Sequence, residues 1–258
     1  MDIEDYLTHR QRVGVSESIL KREIGVLKAA VNWANKKKRL DLPNPVARLD
    51  LVEPPGRVRW LDQDQSRALM NAAAEARQAP HLVDFIRLAL HTGMRKGEML
   101  GLEWSRVDLQ QGYVLLGAGD QKNGELGSVP LNRTAHEVIL SHARFRATYC
   151  PASRWVFCDK HGQGINSIKK GFAAAVRRAG IAHCTPHDLR RTCGSWLVQA
   201  RTPIQEVARL LRHSDIQVTM SVYAHLMPNQ LQQTVQVLDR HNLVIAQETR
   251  AMKTNVNS

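Results

Sequence analysis

No stretch of this chain approaches the roughly 18 consecutive apolar residues that a membrane span requires. The amino-terminal segment sets acids beside arginines without any apolar core, so neither a membrane helix nor a cleavable leader is expected. Cysteine is scarce. Cys150, Cys158, Cys184 and Cys193 form no C-x-x-C pair and no secreted framework, which points to reduced thiols in a soluble, cytoplasmic protein. Cys158 with His161, or His183 and Cys184 with His187, lack a second ligand pair at finger spacing, so no metal site is expected. No internal repeat is visible. Acidic residues are outnumbered, 24 against 36 Lys and Arg, giving a formal charge of +12. Such a balance suits a polyanion, with nucleic acid as the first candidate and a merely basic soluble protein as the plain alternative.

At 258 residues the chain can bury one sizeable core and carry a smaller appendage. A short acidic helix is expected around Ile3 to His9. A longer one follows at about Ser16 to Lys37, with Ile19, Ile24, Leu27, Ala30, Val31 and Ala34 on one face, ending in the basic run Lys36 to Arg39. That run suits either phosphates or the negative pole of the helix. Asn44-Pro45 and Glu53-Pro54-Pro55-Gly56 break regular structure. Asp62 with Gln65 reads as a capping box opening a helix to about Ala76, and helices follow at Leu82 to His91 and Met94 to Leu102. The period then falls to two. Tyr113 to Leu116 and Gly127 to Leu131 read as strands around the turn signal Asn123-Gly124, with Lys122 at the tip.

A helix near Arg133 to Tyr149, a short strand Trp155 to Phe157 and a helix near Ile168 to Ala179 come next. Thr185, Pro186 and Asp188 start a helix running to Gln199 with His187 in its first turn. Pro203 starts another to Leu211, and Ser214 with Gln217 predicts a capped helix ending near Tyr223. A last helix is expected at Asn229 to Leu238. The fold class is therefore mostly α with a small antiparallel β-sheet, an α+β arrangement.

Four segments carry chemistry: His91-Thr92-Gly93-Met94-Arg95-Lys96-Gly97-Glu98; Lys122 in the hairpin; His187-Asp188-Leu189-Arg190-Arg191-Thr192; and Leu210-Leu211-Arg212-His213-Ser214 through Thr219 to Tyr223-Ala224-His225. Singly, each has a plain explanation. Arg95 with Glu98 suits an intrahelical ion pair, and His187 with Arg190 an exposed helix face. Lys122 suits a solvated charge, and Tyr223 a core or rim residue. In this order the four resemble the signature boxes of the tyrosine recombinase, or phage integrase, family. The resemblance is good over about Arg59 to Leu226 and weak over Asp5 to Leu49.

The resemblance implies a division into a partial helical core-binding domain at 1–53, a linker at 54–58, a catalytic tyrosine recombinase domain at 59–245 and a disordered tail at 246–258. It implies a site-specific DNA recombinase that cuts and rejoins strands through a 3′-phosphotyrosine bond, needing no metal, nucleotide or other cofactor. Tyr223 would be the nucleophile, Arg95 and Arg190 the guanidiniums on the phosphate, and His213 a further donor to it. Lys122 would protonate the leaving 5′ oxygen, His187 would be the general base, and Glu98 would support an active-site partner. The chemistry suits those residue types. An unperturbed phenol has a pKa near about 10 and needs help to lose its proton, while charge growing on phosphate oxygens is held by charge-assisted hydrogen bonds.

The implied partners are double-stranded DNA with a specific recombination site, a homo-tetramer on paired sites, and accessory DNA-bending proteins, with no membrane and a nucleoid-associated location. The carboxy-terminal helix, with Leu231, Val235 and Leu238, suits docking on a neighbouring protomer or packing on its own domain. A type IB topoisomerase-like relaxase and a non-catalytic DNA-binding remnant of a mobile element are the alternatives. Two departures stand out. Arg212 occupies a place where the family usually shows glycine, and an arginine there either crowds the site or adds a phosphate contact, the second being the favoured reading. The amino-terminal unit is also short for a core-binding domain.

Overall fold

The computed structural model of the chain describes residues 2–49, 51, 59–117, 127–227 and 235. The chain divides into two compact units, Met1–Val58 and Arg59–Ser258. Among the described residues no helix is long and apolar enough to cross a membrane.

The first unit is a helical pair, α1 (Ile3–Arg12) and α2 (Glu17–Lys38). Asp2 and Asp5 close a capping box at the start of α1. The Glu23 carboxylate of α2 accepts from the Tyr6 hydroxyl at 2.8 Å and pairs with Arg10, which fastens the two helices together. The segment after α2 folds back on it, with Asn44 Nδ2 donating to Asn32 Oδ1 at 2.8 Å. The apolar side of α2 differs from the expected one. Leu20 and Ile24 are buried, whereas Ile19 and Leu27 are exposed. The inward stripe runs through Leu20 and Ile24, four residues apart, and Ile19 lies outside it.

The second unit is built around α4 (Leu82–Thr92), which packs against α3 (Gln63–Ala74), α6 (Arg133–Tyr149) and α8 (Pro186–Gln199). Its Leu82, Phe85, Ile86, Leu88 and Ala89 are fully buried, and each large apolar side chain so placed contributes roughly 1.5–3 kcal/mol. The Asp62–Gln65 box opens α3 as expected. Leu61 donates its backbone N–H to Thr192 Oγ1 at 2.9 Å and accepts from Trp196 Nε1 at 3.0 Å, so the start of this unit is tied to α8. Next come α5 (Lys96–Leu100), a 3₁₀ turn at Trp104–Arg106, and an antiparallel sheet of β1 (Val107–Asp108), β2 (Tyr113–Leu116) and β3 (Gly127–Pro130) in the order β1-β2-β3. Val114 faces Val129 across the ladder and both are buried, while Leu115 points out, the alternation that a half-buried strand requires. The Asn123-Gly124 turn and Lys122 lie outside the described residues.

The remaining helices are α7 (Lys169–Arg178), α9 (Ile204–Leu211) and α10 (Ile216–Tyr223). Two local expectations need correction. Trp155 to Phe157 is not a strand: Trp155 makes a single antiparallel bridge to Glu103. The Glu103 segment turns into the 3₁₀ helix at Trp104 and offers Trp155 to Phe157 no further bridge. The cap of α10 is Asp215, whose side chain accepts from Gln217 N at 2.8 Å, and not Ser214. A shorter carboxylate loop to the second helical N–H replaces the longer reach to the third. The helix expected at 229–238 and the tail at 246–258 lie outside the described residues, apart from Val235, which is helical and exposed.

Candidate active site

The site grows from a glycine. Gly93 ends α4 with φ 62°, and a Cβ there would lie 2.6 Å from Leu211 Cδ2. Both the left-handed backbone and the close approach call for glycine. The turn sets Arg95, in extended backbone, at the cap of α5. The Glu98 carboxylate accepts from Arg95 N and from Arg95 Nη1, each at 2.7 Å. Glu98 is fully enclosed, with a side chain 1% exposed, whereas the Arg95 side chain is 32% exposed.

A second guanidinium holds the same carboxylate. Arg212 Nη2 donates to Glu98 Oε2 at 2.6 Å and Nη1 to Leu210 O at 2.8 Å. Arg212 closes α9 with φ 52°, in the region where glycine is at ease and an arginine is strained. Its side chain is 6% exposed, and among the described residues its buried Nε has no partner. This corrects the reading of Arg212 as a phosphate contact, because the side chain turns inward to a carboxylate that sequence alone did not place beside it. Burial pushes the Glu98 carboxyl up, but Arg212, with the Arg95 hydrogen bonds, outweighs burial and holds it below its ordinary range.

Arg190, on α8, reaches the same turn from the other side. Nη1 donates to Gly93 O at 2.7 Å and Nη2 bonds to Leu211 O, while Arg95 Nη2 donates to Arg212 O at 3.3 Å. Two guanidiniums far apart in sequence therefore bond consecutive carbonyls, Arg190 that of Leu211 and Arg95 that of Arg212. Arg190 is 2% exposed. Burial, then the charges of Arg95 and Arg212, lower its pKa to about 9, which leaves it cationic at neutral pH. His187, in the first turn of α8, lines a cavity of about 860 Å³ together with Arg95, Lys96, Arg190 and the apolar Phe172 and Val176. Burial, followed by Arg191 and Arg190, lowers its pKa from the usual histidine value.

His213 follows Arg212 directly, with Nδ1 2.8 Å from Thr219 Oγ1. Burial, then Arg190 and Arg95, push its pKa down to about 4. Tyr223 ends α10 in a different setting: it belongs to an apolar cluster with Val198, Val207 and Leu211 and is 2% exposed. Its phenol lies against Gly194, where a Cβ would sit 2.6 Å from both Cζ and Oη. Burial raises its pKa to about 12, with Arg190 partly opposing. The structure thus gathers Arg95, Glu98 and Arg190 at the turn that leads into His213. His187 joins Arg95 and Arg190 in the cavity, and Tyr223 rests against the helix that carries Arg190. Sequence reasoning missed Gly194. Its signal was a glycine inside a helix, where it costs about 1 kcal/mol against alanine and needs a packing reason.

A mostly helical unit with a small antiparallel sheet, and this set of basic residues on it, is the tyrosine recombinase catalytic fold. Residues 59–230 match the phage integrase family, and the chain belongs to that family. It is 30% identical over 196 residues to the integrase of Salmonella phage P22, a match spanning 71% of this chain but 48% of that one. It is 27% identical over 224 residues to the tyrosine recombinase XerC of Corynebacterium glutamicum, spanning 83% of this chain and 69% of the relative. Among solved structures, the Tn1549 transposon integrase in complex with circular intermediate DNA superposes with a TM-score of 0.73 at 18% identity, over 92% of this chain and 83% of that one. A lambda integrase dimer bound to a COC′ core site gives 0.70 at 18% identity, over 85% and 77%.

Proposed function

We propose that this chain is a site-specific DNA strand transferase that acts through a covalent bond between Tyr223 and a 3′ phosphate. One observation supports the reading: Arg95 and Arg190 bond the adjacent Arg212 and Leu211 carbonyls immediately before His213, so the three residues assigned to the phosphate belong to one turn region. In the reaction the Tyr223 oxygen attacks phosphorus and its proton passes to His187, whose lowered pKa keeps the ring neutral and able to accept. Arg95, Arg190 and His213 stabilise charge on the non-bridging oxygens, and Lys122 protonates the departing 5′ oxygen. A 5′ hydroxyl from another strand reverses the step, since the phosphotyrosine bond conserves the energy of the broken diester. Glu98 supports Arg95. The buried phenol must leave its apolar cluster before attack, so DNA engagement is coupled to movement of α10.

The wider reading follows from the same family. The unit at 1–53 serves as a partial core-binding domain, 54–58 as a linker and 59–245 as the catalytic domain. The chain works as a homo-tetramer on paired double-stranded sites with accessory DNA-bending proteins, at the nucleoid. The test is a nicked duplex carrying a candidate attachment site. A covalent protein–DNA product is expected, and Tyr223→Phe should abolish it while binding persists. Equal attachment by the Phe variant would remove the nucleophile, and binding without any product in the unmodified chain would remove the catalytic reading.

A further inference from the structure

The Glu98 carboxylate has a cation on each side, and the two sides are unlike. Arg95 is partly exposed and lines the cavity, whereas Arg212 is enclosed, spends two donors on Glu98 and Leu210 O, and sits in a backbone conformation unfavourable to it. An arginine buried in that way needs a compensating gain. A carboxylate paired with Arg95 alone would neutralise it, so the pair would present little field to an approaching anion. With Arg212 supplying the inner countercharge, the trio keeps one net positive charge, and the guanidinium that faces outward is Arg95.

We propose that Arg212 is a positioning residue that offsets the Glu98 charge from within, leaving Arg95 both fixed by the carboxylate and free to act as a cation toward a phosphate. The inference rests on the reading of Arg95 as a phosphate holder. It makes Arg212 matter for anion affinity without touching the anion, and it makes the effect reversible by removing the charge that Arg212 offsets.

The full chain is titrated with inorganic phosphate and followed by the side-chain N–H resonance of Arg95, with melting temperatures recorded for each variant. Arg212→Met should weaken phosphate binding at Arg95 by about tenfold, a factor typical of one charge-assisted interaction. Arg212→Lys, which keeps the charge, should stay near the unmodified chain. Arg212→Met combined with Glu98→Gln should recover most of the affinity, because both charges then vanish together. A purely structural role predicts no recovery, so a double variant as weak as Arg212→Met overturns the proposal, as does an Arg212→Met variant of unchanged affinity. If Arg212→Met fails to fold, Glu98→Gln alone decides: equal or tighter binding supports the offset, and weaker binding overturns it. Phosphate is bound here without being cleaved. Failure to form a covalent DNA product would therefore sink the strand-transfer reading and leave this one standing.

Discussion

His213 carries no charge at neutral pH, since its pKa lies near about 4, and a neutral imidazole has a single N–H to give. Its Nδ1 stands 2.8 Å from the Thr219 hydroxyl. If that hydroxyl donates, the ring proton is held on Nε2, the nitrogen that the proposed function directs at a phosphate oxygen. The expected outcome is an Nε2–H tautomer at pH 7 by nitrogen-detected NMR. Thr219→Val, which removes the hydroxyl and keeps the shape, should mix the tautomers and slow cleavage about tenfold at unchanged DNA affinity. An Nδ1–H ring in the unmodified chain would contradict this. The sequence already named both residues in one segment. Their pairing was not legible, because it depends on the turn from α9 into α10, made by Arg212 in left-handed backbone and Asp215 in extended backbone.

At the scale of elements, α8 carries two kinds of instruction. Its start was readable from Thr185, Pro186 and Asp188, whose capping geometry is local. The same holds for the Asp62–Gln65 box and for the β2–β3 alternation, since both depend on neighbours within a few residues. What α8 packs against was not readable. Gly194 leaves room for the Tyr223 phenol, and the inward turn of Arg212 joins α9 to α5 through Glu98. Such contacts arise from chain segments distant in sequence, and no local period encodes them. Gly194→Ala therefore makes a pointed test. The added methyl collides with the phenol, so a loss of about 1–3 kcal/mol in denaturant unfolding is expected, despite alanine's better helix propensity. The displaced phenol should titrate closer to its ordinary value of about 10, read by ultraviolet titration against a Gly194→Ala, Tyr223→Phe control. An unshifted phenol would show that α8 does not hold Tyr223 in place.

For the whole molecule the basic excess was the most readable property and the least specific, since a formal +12 suits any polyanion. The histidines define its behaviour in acid more closely. His81, His91, His142, His187 and His213 all have lowered pKa values, with burial the leading cause in each. In the unfolded chain these rings take up protons near about pH 6.5, while in the folded chain they resist until lower pH. Below about 6.5 the unfolded state thus binds more protons, and stability must fall with pH through the folded values, down to about 4 for His213. Above that window the contribution is fully present. Glu98 adds a second, lower window, because its depressed pKa stabilises the fold above about pH 4.3 and that gain is lost on further acidification. Denaturant midpoints are therefore expected to hold steady from pH 8 to about 6.5, decline toward pH 5 and drop more steeply below the carboxylate range. A midpoint unchanged between about pH 7 and 5 would mean that these rings are protonated as readily in the fold as out of it, which is incompatible with the buried setting of His142.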